Sequence, residues 1–193
     1  MSASDEPLSG EQPRSQPVGA GSPVGESMLH VLRFLAATLR AKAIVEVGTG
    51  TGASALWLLE GMVEGGVLTS IDADPVKQRT AREALREAGH PPGSARLITG
   101  RAAEVLPRLT DGGYDLVSVG AAGIDAPMYL ELGRKLLRPG GVIVFNGVPS
   151  TPPSSRGALA SALRDLIQAV REDEGLVPVS LPAGPGLLAA AKR

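Results

Sequence analysis

Three glycines alternate with threonines in Gly48-Thr49-Gly50-Thr51-Gly52, directly after the β-branched run Ile44-Val45-Glu46-Val47. Glycine tolerates positive φ and carries no Cβ, so this spacing lets backbone N–H groups come within bonding distance of a ligand at the end of a strand. Glu46, two residues before the first glycine, selects among ligands. A carboxylate there repels phosphate but attracts a cationic amino-acid group or accepts from hydroxyls, which favours S-adenosylmethionine over a dinucleotide.

The elements that must position this loop follow from periodicity. Met28, Leu29, Val31, Leu32, Phe34, Leu35 and Leu39 recur at helical spacing between Glu26 and Arg40, which predicts an amphipathic helix leading into a first strand, Ala43 to Val47. A helix from Ala53 to Met62 should stop at Gly65-Gly66, before a second strand from Val67 to Ile71. Asp74 is placed to cap the next helix, with Pro75 at its first position and Gly89 past its end. Further along, the pattern predicts strands at Arg96 to Thr99, Asp115 to Val119 and Val142 to Phe145. Helices are expected at Ala102 to Leu109, Ala126 to Leu137 and Ser155 to Glu172, with Arg138-Pro139-Gly140-Gly141 as a tight turn. Leu176 to Ser180 and Leu187 to Ala191 read as a terminal antiparallel hairpin, and Pro178, which has no ladder donor, suits an edge strand. Alternating strands and helices imply an α/β fold: a mostly parallel, Rossmann-like sheet of seven strands ending in that hairpin, with helices on both faces.

Composition narrows the function classes. A chain of 193 residues suits one domain, here 23–193, behind a tail of 1–22 rich in Ser, Pro, Gly and Gln that is expected to be disordered. With 19 Lys+Arg against 20 Asp+Glu, nothing favours a nucleic-acid partner. The absence of cysteine removes disulfides and thiolate chemistry. Without a secretory pattern or a membrane-spanning run, a soluble cytoplasmic protein is expected.

Four strings carry a resemblance: VEVGTGTGASALWL at 45–58, LTSIDADP at 68–75, YDLVSVG at 114–120 and YLELGRKLLRPGGVIV at 129–144. Together they resemble the bacterial O-methyltransferases related to caffeoyl-CoA and catechol O-methyltransferases, which are class I methyltransferases using S-adenosylmethionine. The resemblance implies that Glu46, Gly48, Thr49 and Gly52 surround the methionine and ribose portions of the cofactor, with Ser54 opening the next helix and Gly120 at the end of the fourth strand. It implies that Asp72 accepts from both ribose hydroxyls and that Ala73 and Ala102 flank the adenine. A homodimer and a small-molecule hydroxyl acceptor are expected on the same basis.

The chain departs from this family in three places. Gly100-Arg101-Ala102 stands where the relatives have Gly-Asp-Ala, Gly120-Ala121-Ala122-Gly123 where metal-dependent members have Asp-Ala-Asp-Lys, and Asn146-Gly147 where they have Asp-Asn. A hard divalent cation needs several oxygen ligands with carboxylate charge, so no Mg²⁺ or Ca²⁺ site of the family type is expected. Asp125 and Asn146 are the remaining candidates on the acceptor side; Asp125 also reads as the cap of the helix at Ala126-Pro127, and Asn146 can orient an oxygen but cannot act as a base. His30, His90, Trp57 and Tyr129 read as surface or packing residues. Two other readings stand beside the methyltransferase: a non-catalytic relative that binds the cofactor, and a nicotinamide-dependent oxidoreductase, since Gly48-x-Gly50-x-x-Ala53 formally fits the dinucleotide fingerprint.

Overall fold

The computed structural model describes residues 23–120 and 122–193; the tail expected at 1–22 lies outside the described residues. The chain runs α1 (Pro23–Thr38), β1 (Ala43–Val47), α2 (Ala53–Gly61), β2 (Val67–Asp72), α3 (Pro75–Glu87), β3 (Ala95–Thr99) and α4 (Ala102–Val105), which a 3₁₀ turn (Leu106–Arg108) extends. It continues through β4 (Tyr114–Val119), α5 (Ala126–Leu136), β5 (Leu137–Asn146), α6 (Ala158–Glu172), β6 (Leu176–Leu181) and β7 (Leu187–Lys192). The seven strands lie in the order β3-β2-β1-β4-β5-β7-β6. β1 to β5 are parallel, and β7 inserts antiparallel between β5 and β6, leaving β6 with Pro178 at the edge.

Period-two alternation divides the strands between two cores. Ile44, Leu68, Leu116 and Val144 pack under α1, α2 and α3, against Leu32, Leu58 and Leu85. Val45, Val117, Ile143 and Phe145 pack on the other face against Leu130 of α5 and Leu163 and Leu166 of α6. The helices form because their apolar residues match 3.6-residue spacing: in α6, Ala160, Leu163, Leu166, Ile167 and Val170 are all buried. The Asp74 carboxylate caps α3 by accepting from the N–H groups of Val76 and Lys77 at 2.8 and 3.4 Å, with Pro75 in the first turn, a cap worth about 1 kcal/mol.

The Arg138-Pro139-Gly140-Gly141 turn differs from expectation. Leu137 already pairs with Tyr114, and pairing resumes with Val142 opposite Leu116, so the four residues bulge within β5 rather than precede it. The Asp115 carboxylate anchors the bulge through the Arg138 guanidinium at 2.7 Å and also accepts from Lys42 and Ala43 N–H at 2.7 and 2.9 Å. An ion pair and two backbone bonds from distant segments hold what local turn chemistry alone would not.

Gly186, just before β7, has φ +109°, and its carbonyl accepts from the N–H groups of Gly147 and Val148 at 2.9 and 3.2 Å. A Cβ there would lie 2.2 Å from the Val148 carbonyl oxygen. Gly186→Ala should therefore lose about 3 kcal/mol or more in urea unfolding. Gly112→Ala, at φ +68° but with nothing within 4 Å of its added methyl, should lose only about 1 kcal/mol. Equal losses would show that the clash at Gly186 relaxes away.

Candidate functional site

β1 and β4 lie side by side where the strand order reverses, the point at which open α/β sheets bind ligands beyond the carboxyl ends of their strands. The glycine loop leaves β1 there, with Gly48, Gly50 and Gly52 at φ +91°, +54° and +95°. The Gly48 N–H donates to the Ile71 carbonyl at 2.8 Å and the Gly120 N–H to the Val47 carbonyl at 2.7 Å. A Cβ on Gly120 would come within 3.0 Å of the carbonyl oxygens of Val47 and Gly48, so backbone approach demands glycine at this position.

A cleft of about 370 Å³ opens at these strand ends. Val47, Gly48 and Ile71 line it from the sheet, Asp72, Ala73 and 100–103 from the segments after β2 and β3, and Asp125, Met128 and Tyr129 from α5. Of the residues expected to hold a cofactor, Gly48, Asp72, Ala73 and Ala102 line this cleft, and Gly120 abuts Gly48. The Asp72 carboxylate is oriented from both sides: Oδ2 accepts from the Gly50 N–H and Oδ1 from the Asp74 N–H, each at 2.9 Å.

Glu46, Thr49, Gly52 and Ser54 stand behind the cleft. Glu46 is fully buried, and its carboxylate accepts from the hydroxyls of Ser54 and Ser70. Burial pushes its pKa up to about 7; the two serine bonds oppose the rise and the nearby Asp72 charge adds to it. Thr49 lies in the loop with its buried hydroxyl engaged by Ser70 at 2.6 Å and by the Gln78 amide at 3.0 Å. Gly52 is buried against Ala81 of α3, where an added Cβ would meet Ala81 at 3.1 Å, so helix packing accounts for this glycine. These residues set the loop's shape from beneath.

Asp125, immediately before α5, and Tyr129, within it, both line the cleft. Asp125 occupies the N-cap position, yet its side chain makes no cap bond, and it is exposed beside the cleft. Tyr129, read as a packing residue, is half-buried against the core and also lines the cleft one turn further on. Burial raises its pKa, with the Asp125 charge adding and the Arg101 charge opposing, so the three polar heads share one neighbourhood. The i, i+4 spacing of Asp125 and Tyr129 was the signal in the sequence, but Tyr129 also matches the apolar stripe of α5. His30 is exposed and packs edge-on against Trp57 at 4.5 Å, as expected of a packing residue.

At the end of β5, Asn146 is 1% exposed, and neither its amide nitrogen nor its amide oxygen has a partner among the described residues. Among these residues there is also no group of three or more His, Asp or Glu arranged to hold a metal ion, and no helix long and apolar enough to cross a membrane.

A parallel sheet of this order, with one antiparallel strand inserted near its end and a glycine-loop cleft at the switch point, defines the class I methyltransferase fold. Residues 45–148 match the family model described as a methyltransferase domain. A protein of Mycolicibacterium vanbaalenii, provisionally named an O-methyltransferase, is 47% identical over 183 residues, covering 93% of this chain and 80% of the relative. The crystal structure of a Corynebacterium glutamicum protein superposes with a TM-score of 0.80 at 28% identity, over 86% of this chain and 81% of that one. The O-methyltransferase TomG of Streptomyces achromogenes, solved in complex with S-adenosylmethionine, superposes with a TM-score of 0.76 at 28% identity, over 86% and 79% of the two chains. The chain belongs to this methyltransferase family, and the oxidoreductase reading falls with that assignment.

Proposed function

We propose that this protein transfers a methyl group from S-adenosylmethionine to a hydroxyl of a small-molecule acceptor. The observation that carries the reading is the meeting of the Gly48 backbone and the Asp72 carboxylate in one cleft at the ends of β1 and β2. Asp72 has both oxygens oriented by backbone N–H groups and lone pairs left for a ribose diol. Gly48 keeps the backbone free of a side chain where the amino-acid portion must pass, and buried Glu46, held by Ser54 and Ser70, shapes the loop from beneath.

The bound cofactor supplies a methyl group already activated on a sulfonium. Transfer would break the carbon–sulfur bond with its electron pair left on sulfur as the acceptor oxygen takes the methyl carbon, and the hydroxyl proton would leave to bulk water. The protein's part is alignment and exclusion of solvent. Asn146 is the residue we assign to hold the acceptor hydroxyl, because its amide can both donate and accept and has no partner among the described residues. Gly120, Ala122, Gly123 and Gly147 offer no side-chain oxygen for a hard cation, so the reading includes a reaction that needs no divalent metal. The homodimer implied by the family resemblance belongs to the same reading; light scattering should give twice the mass of one chain.

Transfer of radiolabelled methyl from S-adenosylmethionine across a panel of phenols and catechols, with and without chelator, tests the reading. Failure to bind S-adenosylhomocysteine rejects it, whereas binding without transfer to any acceptor favours the non-catalytic alternative. Asn146→Leu, which removes an unpaired amide at nearly constant volume, should raise stability by about 1–2 kcal/mol. It should also lower transfer roughly tenfold, the weight of one lost hydrogen bond, with S-adenosylhomocysteine affinity unchanged. A fall in stability would mean that Asn146 serves the fold.

A further inference from the structure

The cleft's outer half carries groups that the transfer reaction does not use. Four of its lining residues bear ionisable heads: Asp72, Arg101, Asp125 and Tyr129. Asp72 is held by Gly50 and Asp74 and is assigned to the ribose, and Arg101 is turned toward Glu104 at 4.0 Å with most of its side chain in solvent. Asp125 is different. It sits where a helix cap would be, makes no capping bond, and forms no ion pair among the described residues, while it lines the cleft together with 100–103. Beside it, Met128 leaves a large apolar side chain 37% exposed, and Tyr129 presents a half-buried ring.

A cleft that Met128 and Tyr129 wall in part, with an uncommitted carboxylate at Asp125, suits a heteroaromatic ring that bears an amino group. On the reading above, the ring is adenine, whose exocyclic amine can only donate hydrogen bonds. A carboxylate can only accept, and a charge-assisted bond of this kind is among the strong ones. We propose that Asp125 recognises the exocyclic amino group of the cofactor's adenine, with Met128 and Tyr129 forming the wall along which the ring lies. The role rests on the S-adenosylmethionine reading and adds a basis for base selectivity. Gly100-Arg101-Ala102 has no acidic side chain, so the residue that precedes α5 supplies the acceptor.

Isothermal titration of the full chain with S-adenosylhomocysteine and with its 6-oxo analogue, S-inosylhomocysteine, tests this. The wild type should prefer the 6-amino ligand by about tenfold or more, the contribution of one charge-assisted bond. Asp125→Ala should bring the preference close to unity, chiefly by weakening the amino ligand, with an unchanged melting temperature because the side chain makes no capping bond. Arg101→Ala should leave the preference intact. A preference that survives Asp125→Ala, or one that Arg101→Ala abolishes, overturns the proposal. If the wild type binds neither ligand, the cofactor reading itself fails, which is distinguishable from tight binding without discrimination.

Discussion

Asp72→Ala is expected to weaken S-adenosylhomocysteine binding by about a hundredfold or more in isothermal titration. The substitution removes both acceptors assigned to the ribose, each charge-assisted bond being worth roughly 1.5–3 kcal/mol. It also frees the Gly50 and Asp74 N–H groups, which now hold the glycine loop to the end of β2 at 2.9 Å each. Loop and ligand are thus tied to the same side chain. Asp72→Asn keeps one acceptor oxygen and should lose only about tenfold. Because Asp72 is half-buried and at the sheet's end, folding stability should fall by no more than about 1–2 kcal/mol in either variant. An Asp72→Ala protein that binds the ligand with wild-type affinity would remove the ribose from this end of the cleft.

The second large effect is on the pH dependence of stability, through Glu46. Its pKa rises from 4.5 to about 7 on folding, so between these values the native state holds a proton that the unfolded chain has released. Stability contributed by the protonated group is complete below pH 4.5, falls as pH rises to about 7, and is constant above. The change across that window is on the order of 3 kcal/mol. Glu46→Gln abolishes the titration. The difference between wild-type and Glu46→Gln unfolding free energies, measured in urea at pH 5 and pH 8, should move in favour of the variant by that amount as pH increases. A difference independent of pH would mean that Glu46 is ionised throughout. The Ser54–Glu46–Ser70–Thr49–Gln78 chain makes the group structural as well, since the bonds converge beneath the loop from α2, β2 and α3.

Much of the fold was legible because local and global preferences agree. β-branched runs lie where the sheet is buried on both faces, Asp74-Pro75 starts α3 at the residue expected, and Pro178 falls on the edge strand, where its missing donor is harmless. Legibility was lower where a distant partner decides the outcome. The Arg138 to Gly141 segment has the composition of a free-standing turn, but Asp115 of β4 draws it into the β5 pairing. In the site, glycine spacing located the loop but could not distinguish Gly48 and Gly120, where backbones approach across β1 and β4, from Gly52, which admits α3.

Residue type and order thus determined the alternation of strands and helices, the glycine loop with Asp72 at the end of the following strand, and the absence of the family's carboxylates after β4 and β5. These are properties of contiguous segments, and one-dimensional patterns carry them. Tertiary structure alone decided which side chains face the cleft. Thr49, beside Gly48 in the chain, turns inward because Ser70 and Gln78 compete successfully for its hydroxyl. Asp125 and Tyr129, more than 50 residues beyond Asp72 in the chain, line the same cleft because the crossover after β4 lays α5 beside the ends of β1 and β2. Side-chain direction depends on partners brought from elsewhere in the chain, and only the packed sheet brings them.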